Sequence, residues 1–148
     1  MKSIKRIELH CVREAVGEYN RILTASRHVA KLLTDLQGKY DCERMLVLCM
    51  DAKNRVVAFN VAAVGGVAAC AVEPRDVFRA AVVAGAVAVI VAHNHPSGDA
   101  APSQADVEIT KRLVSAGTVL GIHVLDHVIT THDAHNYFSF ADAGALHG

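Results

Sequence analysis

No C-x-x-C pair occurs in this chain, although it holds four cysteines, Cys11, Cys42, Cys49 and Cys70. That spacing excludes a cysteine-rich structural zinc site. The four read as reduced, mostly buried thiols of a cytoplasmic protein. No surplus of charge exists either: fifteen lysines and arginines balance fifteen acids. Composition therefore gives no support for direct nucleic-acid binding. The most apolar stretch, residues 77–92, is interrupted by Arg79 and Gly85, so it reads as a buried helix followed by a strand, not a membrane span. The N-terminus is basic but carries acids where a signal peptide needs an apolar core. Repeats, low-complexity segments and internal linkers are also missing.

What is present suits one domain. The 148 residues are 52% hydrophobic, and a chain of that length can bury roughly 70% of its unfolded surface without disulfide support. A short strand is expected over residues 4–11. Residues 24–40 have Val29, Leu32, Leu33 and Leu36 at helical spacing, with Gly38 ending the pattern. Two apolar runs, 43–51 and 55–66, flank the turn "AKN" and predict a β-hairpin. "VAACAV" (67–72) reads as another short strand. Pro74 suits the first turn of a helix that runs to about Gly85. "AVAVIVA" is apolar at every position, as a central strand covered on both faces would be. Residues 103–117 predict a second strong helix, stopped by Gly117, and "IHVLDHVIT" and "NYFSF" predict late strands. The fold expected is a single-domain α/β sandwich, a mixed sheet with helices on both sides.

The chemistry concentrates in "AHNHPSGDAAPSQAD". On a strand, His93 and His95 point the same way, which suits two imidazoles on one metal. On a helical wheel Asp106 sits at the middle of the apolar face, between Val107 and Val114 on one side and Ile109, Leu113 and Ala116 around it. A buried carboxylate is costly unless it is paired or bound to a metal. Ser103-x-x-Asp106 is also a capping box with Ser103 as N-cap, which explains the helix start but not the inward aspartate. A hydroxyl can serve both a cap and another role. Two histidines and one aspartate leave a fourth position for water, the pattern of catalytic zinc. Zinc suits these ligands better than iron or manganese, and water on such an ion ionises near pH ~7. Glu43 and Glu73, each at the end of an apolar segment, are both candidates for the general base. Arg75 either binds a substrate carboxylate or, preferentially, pairs with an acid. Asp126 and His127 are either supports behind the ligands or polar residues at a strand end. The other histidines read as surface or structural groups.

H-x-H, seven residues, then S-x-x-D matches the JAMM motif of JAB/MPN-domain metallopeptidases. Here it reads His93, His95, Ser103, Asp106. "VIVAHNHPSGDAAPSQADVEITKRLVSAG", "LCMDAKNRV" and "EPRDVFRAA" resemble the RadC-like branch of that family, over about residues 24–140. The resemblance implies an N-terminal extension over 1–23 and a RadC-like JAB/MPN domain, of cytidine-deaminase-like fold, over 24–148. It implies one zinc ion per chain held by His93, His95 and Asp106, with Glu43 as the general base. Ser103 would stabilise the oxyanion, and the implied reaction is cleavage of a peptide or isopeptide bond in a peptide or protein substrate. Full-length members often carry an N-terminal helix-hairpin-helix region, for which this chain has no room. They often have His before Pro-Arg, where this chain has Glu73. The contiguous letters "HNH" at residues 93–95 do not make an HNH nuclease, whose residues are dispersed over a ββα unit. A nucleobase deaminase would need H-x-E and P-C-x-x-C, and neither is present. The serious rival is a non-catalytic MPN-type interaction module associated with DNA repair or mobile-element functions.

Overall fold

The structure is a computed structural model that describes residues 4–8, 22–65 and 72–148. Among the described residues three helices, α1 (Ser26–Gln37), α2 (Pro74–Ala84) and α3 (Gln104–Leu120), accompany five strands. The strands are β1 (Arg44–Met50), β2 (Val56–Val64), β3 (Ala88–Asn94), β4 (His123–Thr130) and β5 (Phe138–Ser139). They form one mixed sheet in the order β2-β1-β3-β4-β5. Among the described strands only β3 and β4 run parallel, joined by α3 as the crossover that parallel neighbours need.

β3 lies at the centre, and all seven of its residues are buried. That is why its sequence shows no polar alternation. Val89 and Val91 join Met45, Val47, Val77, Phe78, Ile109 and Leu113 in a core under α2 and α3. Ala88, Ile90 and Ala92 join Leu46, Leu48, Val29 and Leu33 in a second core under α1. The sheet is therefore covered on both faces.

The hairpin from β1 to β2 closes on Asp51. Its carboxylate accepts the backbone N–H of Lys53 at 2.8 Å and of Arg55 at 3.0 Å, and Asn54 takes the left-handed conformation at φ 57°. Asparagine tolerates that region better than most residues, so the turn is specified by "DAKN" itself.

Three expectations need correction. α3 does not stop at Gly117 but continues to Leu120, and Gly121 (φ 70°) is its left-handed cap. Gly117 instead permits close packing: a Cβ there would lie 2.4 Å from the Ile122 carbonyl oxygen and 3.3 Å from Phe78 Cζ. Residues 4–8 form no strand, with Ile4 and Ile7 largely exposed; residues 9–11 of that expected strand lie outside the described residues. The last strand shrinks from the expected 136–140 to two residues. The expected strand at 67–72 lies outside the described residues except for Val72, which is buried and in no strand. Cys42 is exposed and Cys49 buried, while Cys11 and Cys70 lie outside the described residues. Among those residues no helix is long and apolar enough to cross a membrane.

Candidate metal centre

Strand alternation puts His93 on the same face of β3 as Val89 and Val91, under α3, and sends Asn94 to the other face. Asn94 is spent on structure: its side chain accepts the Arg44 N–H at 2.8 Å and donates to the Cys42 carbonyl at 3.0 Å, which anchors the entry to β1. His95 lies just past the strand. Its backbone N–H bonds the Thr130 carbonyl at 2.8 Å, and its Nδ1 meets the Asp99 carbonyl at 2.7 Å. Gly98 (φ 85°) allows the tight turn that carries Asp99 back to it.

α3 then presents Asp106 from the facing layer. Ser103 is its N-cap, with Oγ accepting the Asp106 N–H at 3.1 Å, while Asp106 Oδ2 accepts the Ser103 N–H at 2.7 Å. The capping box thus fixes the carboxylate's direction, and the hydroxyl proton of Ser103 is not used by it. Asp106 Oδ1 lies 3.0 Å from His93 Nε2 and Oδ2 lies 3.4 Å from His95 Nε2. The two Nε2 atoms are 2.9 Å apart. Among the described residues these three side chains form a group that could hold a metal ion, their ligand atoms all within 4.8 Å of one another. His93 and Asp106 are buried and His95 half-buried, so the group opens toward solvent on the His95 side. Two imidazole nitrogens and a carboxylate oxygen converging at such distances form a donor set that zinc accepts.

Electrostatics agree with a site for positive charge. Burial opposes ionisation of Asp106, yet hydrogen bonds from the His93 and His95 rings and from the Ser103 N–H outweigh it and hold the carboxyl well below the usual carboxylate range. The hydrogen bond to Asp106 raises His95 above its ordinary value against its own burial, helped by the Asp99 carbonyl and by the charges of Asp106 and Glu43.

That last contribution places Glu43 near the group. It immediately precedes β1, whose antiparallel pairing with β3 ends at Met45 opposite His93. Glu73, the other candidate base, stands elsewhere. It precedes α2, where Asp76 accepts its N–H at 3.0 Å, and its carboxylate pairs with Arg112 at 2.5 Å. Arg75, expected to pair with an acid, is exposed and forms no ion pair among the described residues; Arg112, reaching across from α3, occupies that role.

Asp126 and His127 separate. Asp126 accepts Ser139 Oγ at 2.6 Å and the Ala141 N–H at 3.0 Å, so it secures the turn after β5. His127 stands directly behind the site. Its Nε2 is 2.8 Å from His93 Nδ1 and its Nδ1 is 2.6 Å from Thr110 Oγ1. The ring stacks on Phe140 at 5.0 Å between centroids. Burial pushes the His127 imidazole well below its ordinary value, and the neighbouring histidines act the same way against the opposing charge of Asp106. Thr110 is the group that sequence reasoning missed; its position four residues after the inward Asp106 was the available signal. A cleft of about 340 Å³ adjoins His95, with Lys39, Tyr40, Asp41 and His132 in its walls.

The family model described as a RadC-like JAB domain matches residues 23–145. A UPF0758 protein of Symbiobacterium thermophilum is 43% identical over 93% of this chain and 58% of its own length. A UPF0758 protein of Caldanaerobacter subterraneus is 44% identical over 74% of this chain and 47% of its own. One from Methanosarcina barkeri is 36% identical over 87% and 56%. The chain spans about half the length of the curated relatives it matches.

Proposed function

Because this chain belongs to the RadC-like JAB domain family, we propose that it is a zinc-dependent hydrolase acting on peptide or isopeptide bonds. The observation that carries the reading is the convergence of His93 Nε2, His95 Nε2 and the Asp106 carboxylate in a group whose His95 is half-buried while the other two are buried. Zinc held there would supply an attacking water ionised near pH ~7 and a Lewis acid for the scissile carbonyl.

The chain's own groups divide the remaining work. Glu43, whose charge acts on His95, takes a proton from the attacking water and delivers it to the leaving amine. Ser103 keeps Asp106 oriented through the capping box and still has a hydroxyl proton to donate to the oxyanion. The cleft walled by Lys39, Tyr40, Asp41 and His132 gives a peptide or protein substrate a place beside His95. An interaction module does not by itself account for a buried aspartate and two imidazoles gathered into a group that could hold a metal ion.

Glu43→Gln tests the assignment. It keeps side-chain size, so zinc content by elemental analysis stays near one per chain. Cleavage of a fluorogenic peptide and isopeptide library falls by ~10²–10⁴-fold. A Glu43→Gln variant with undiminished cleavage would remove Glu43 from the reaction.

A further inference from the structure

We infer that Thr110 and His127 are positioning residues: they form a hydrogen-bond relay that fixes the tautomer of His93 and keeps its Nε2 lone pair aimed at the metal position. The inference rests on the metal-centre reading above and concerns groups that make no direct contact with the ion.

The relay can be assigned from one end. A backbone carbonyl only accepts, so the Thr110 hydroxyl must donate its single proton to the Asp106 carbonyl, 2.6 Å away. Oγ1 therefore has only lone pairs left for His127. The 2.6 Å contact between them then requires the proton on His127 Nδ1. At the other end of that ring, one proton lies between His127 Nε2 and His93 Nδ1, 2.8 Å apart. Placing it on His127 would make that ring a cation, and His127 is buried with no carboxylate bonded to it among the described residues. The proton therefore belongs to His93 Nδ1, and once a metal ion replaces the proton that otherwise bonds His93 Nε2 to Asp106, His93 Nε2 is left with a lone pair. That atom is the one 2.9 Å from His95 Nε2 and 3.0 Å from the Asp106 carboxylate. His95 Nδ1 is likewise held as a donor by the Asp99 carbonyl, another obligate acceptor, so a metal ion displacing the proton shared with Asp106 would meet its Nε2 lone pair as well.

The relay also closes on itself. It starts at the main chain of Asp106, passes through α3 and β4 to β3, and returns to the side chain of Asp106. One ligand thus sets the tautomer of another through two residues. Supports of this kind commonly alter metal affinity by ~10–100-fold.

Without the Thr110 hydroxyl, His127 Nδ1 loses its acceptor. The ring then gains by moving its proton to Nε2 and donating to His93 Nδ1. That shift protonates His93 Nε2 and occupies the ligand position. Thr110→Val keeps the volume and branching of the side chain and removes only this hydroxyl, whereas Thr110→Ser keeps the hydroxyl and deletes a methyl group.

The experiment uses the full chain and zinc alone as the probe. Zinc affinity is measured by chelator competition for wild type, Thr110→Val and Thr110→Ser, with circular dichroism as the check on folding. Thr110→Val should bind zinc ~10–100-fold more weakly, and Thr110→Ser should stay near wild type. Long-range ¹H–¹⁵N spectra of histidine-labelled wild-type protein with zinc should show His127 as the Nδ1–H tautomer. Wild-type affinity in Thr110→Val, or a weaker Thr110→Ser than Thr110→Val, would overturn the relay in favour of plain packing, as would an Nε2–H tautomer at His127 in wild type. Zinc binding that follows the relay in a chain that cleaves no peptide would count against the proposed reaction and leave the relay standing.

Discussion

Zinc should stabilise the folded chain by an amount that the geometry makes specific to His95. A ligand that binds only the native state adds about 2.7 kcal/mol when its free concentration is a hundredfold above Kd. For a chain of this size, ~1 kcal/mol moves the melting temperature by about 2–4 °C, so the expected rise is roughly 5–11 °C. The lower half of that range is the better expectation, because nine histidines in the chain give the unfolded state some affinity of its own. His95→Ala is the informative perturbation. His93 is wholly buried and tied to His127, so its removal would disturb the core as well as the site. His95 stands past the end of β3 and is only partly covered. Without it, Asp106 still meets His93 and the Ser103 N–H. The metal-free variant should therefore melt close to metal-free wild type, while most of the zinc-dependent rise disappears. Differential scanning fluorimetry with chelator and with buffered zinc reads both quantities, and the exposed His147→Ala serves as control. A zinc-dependent rise as large in His95→Ala as in wild type would refute the ligand set. A cooperative wild-type transition that zinc does not move would refute the site.

Two further predictions concern the framework around it. Gly117→Ala gains up to ~1 kcal/mol of helix propensity, but its Cβ meets the Ile122 carbonyl at 2.4 Å, and overpacking costs ~1–3 kcal/mol; chemical denaturation should show a net loss of up to about 2 kcal/mol, and a stabilised variant would show that the turn after α3 yields freely. Burial raises the Asp126 carboxyl above its ordinary value of 3.8 against hydrogen bonds from Ser139 and Ala141, so its ionised form destabilises the fold, and this cost is absent below pH ~4 and grows as pH rises through the folded value. Asp126→Asn removes that charge, so its stability relative to wild type should increase with pH above ~4, and a difference that stays flat or falls would contradict the assignment.

Much of this arrangement is legible in the chain because its signals are local. β3 is apolar at nearly every position because both faces are covered. "DAKN" between two apolar runs specifies its own turn through Asp51. The inward direction of Asp106 follows from the positions of Ile109 and Leu113 on one helix. What sequence reading misses is set by contacts between distant segments. Gly117 looks like a helix stop, and only Ile122 and Phe78 turn it into a close-packing position. Thr110 looks like an ordinary helical residue. It gains its role because the β3–β4 register places His127 beside Val91, on the face that carries His93. Asp126 and His127 are neighbours with similar polarity, yet alternation along β4 commits one to the turn after β5 and the other to His93 in the candidate metal site. Glu43 and Glu73 are likewise equivalent by pattern, and they part because the β1–β3 pairing brings the start of β1 to the end of β3 that carries His93 while Arg112 holds Glu73 beside α2.

Ser103 caps α3, and the oxyanion role proposed for it can be separated from that capping by substitution. As an N-cap it accepts the Asp106 N–H, an interaction whose loss to alanine costs ~1 kcal/mol. As an oxyanion donor it would contribute ~2.7–4 kcal/mol to the transition state, or ~10²–10³ in turnover. The cap uses a lone pair of Oγ and the oxyanion would use its proton, so one hydroxyl can serve both. Ser103→Ala loses both and cannot tell them apart. Asparagine is also a good N-cap, but its amide extends beyond the position of the serine hydroxyl and places its donor elsewhere. Ser103→Asn should therefore melt within ~1 kcal/mol of wild type and bind zinc comparably, because the Ser103 main-chain N–H that orients Asp106 survives the substitution. Its turnover on any peptide or isopeptide found for the wild type should fall by ~10²–10³. Near-wild-type turnover in Ser103→Asn would confine Ser103 to capping α3, and the oxyanion would then need another donor on the solvent-facing side of His95.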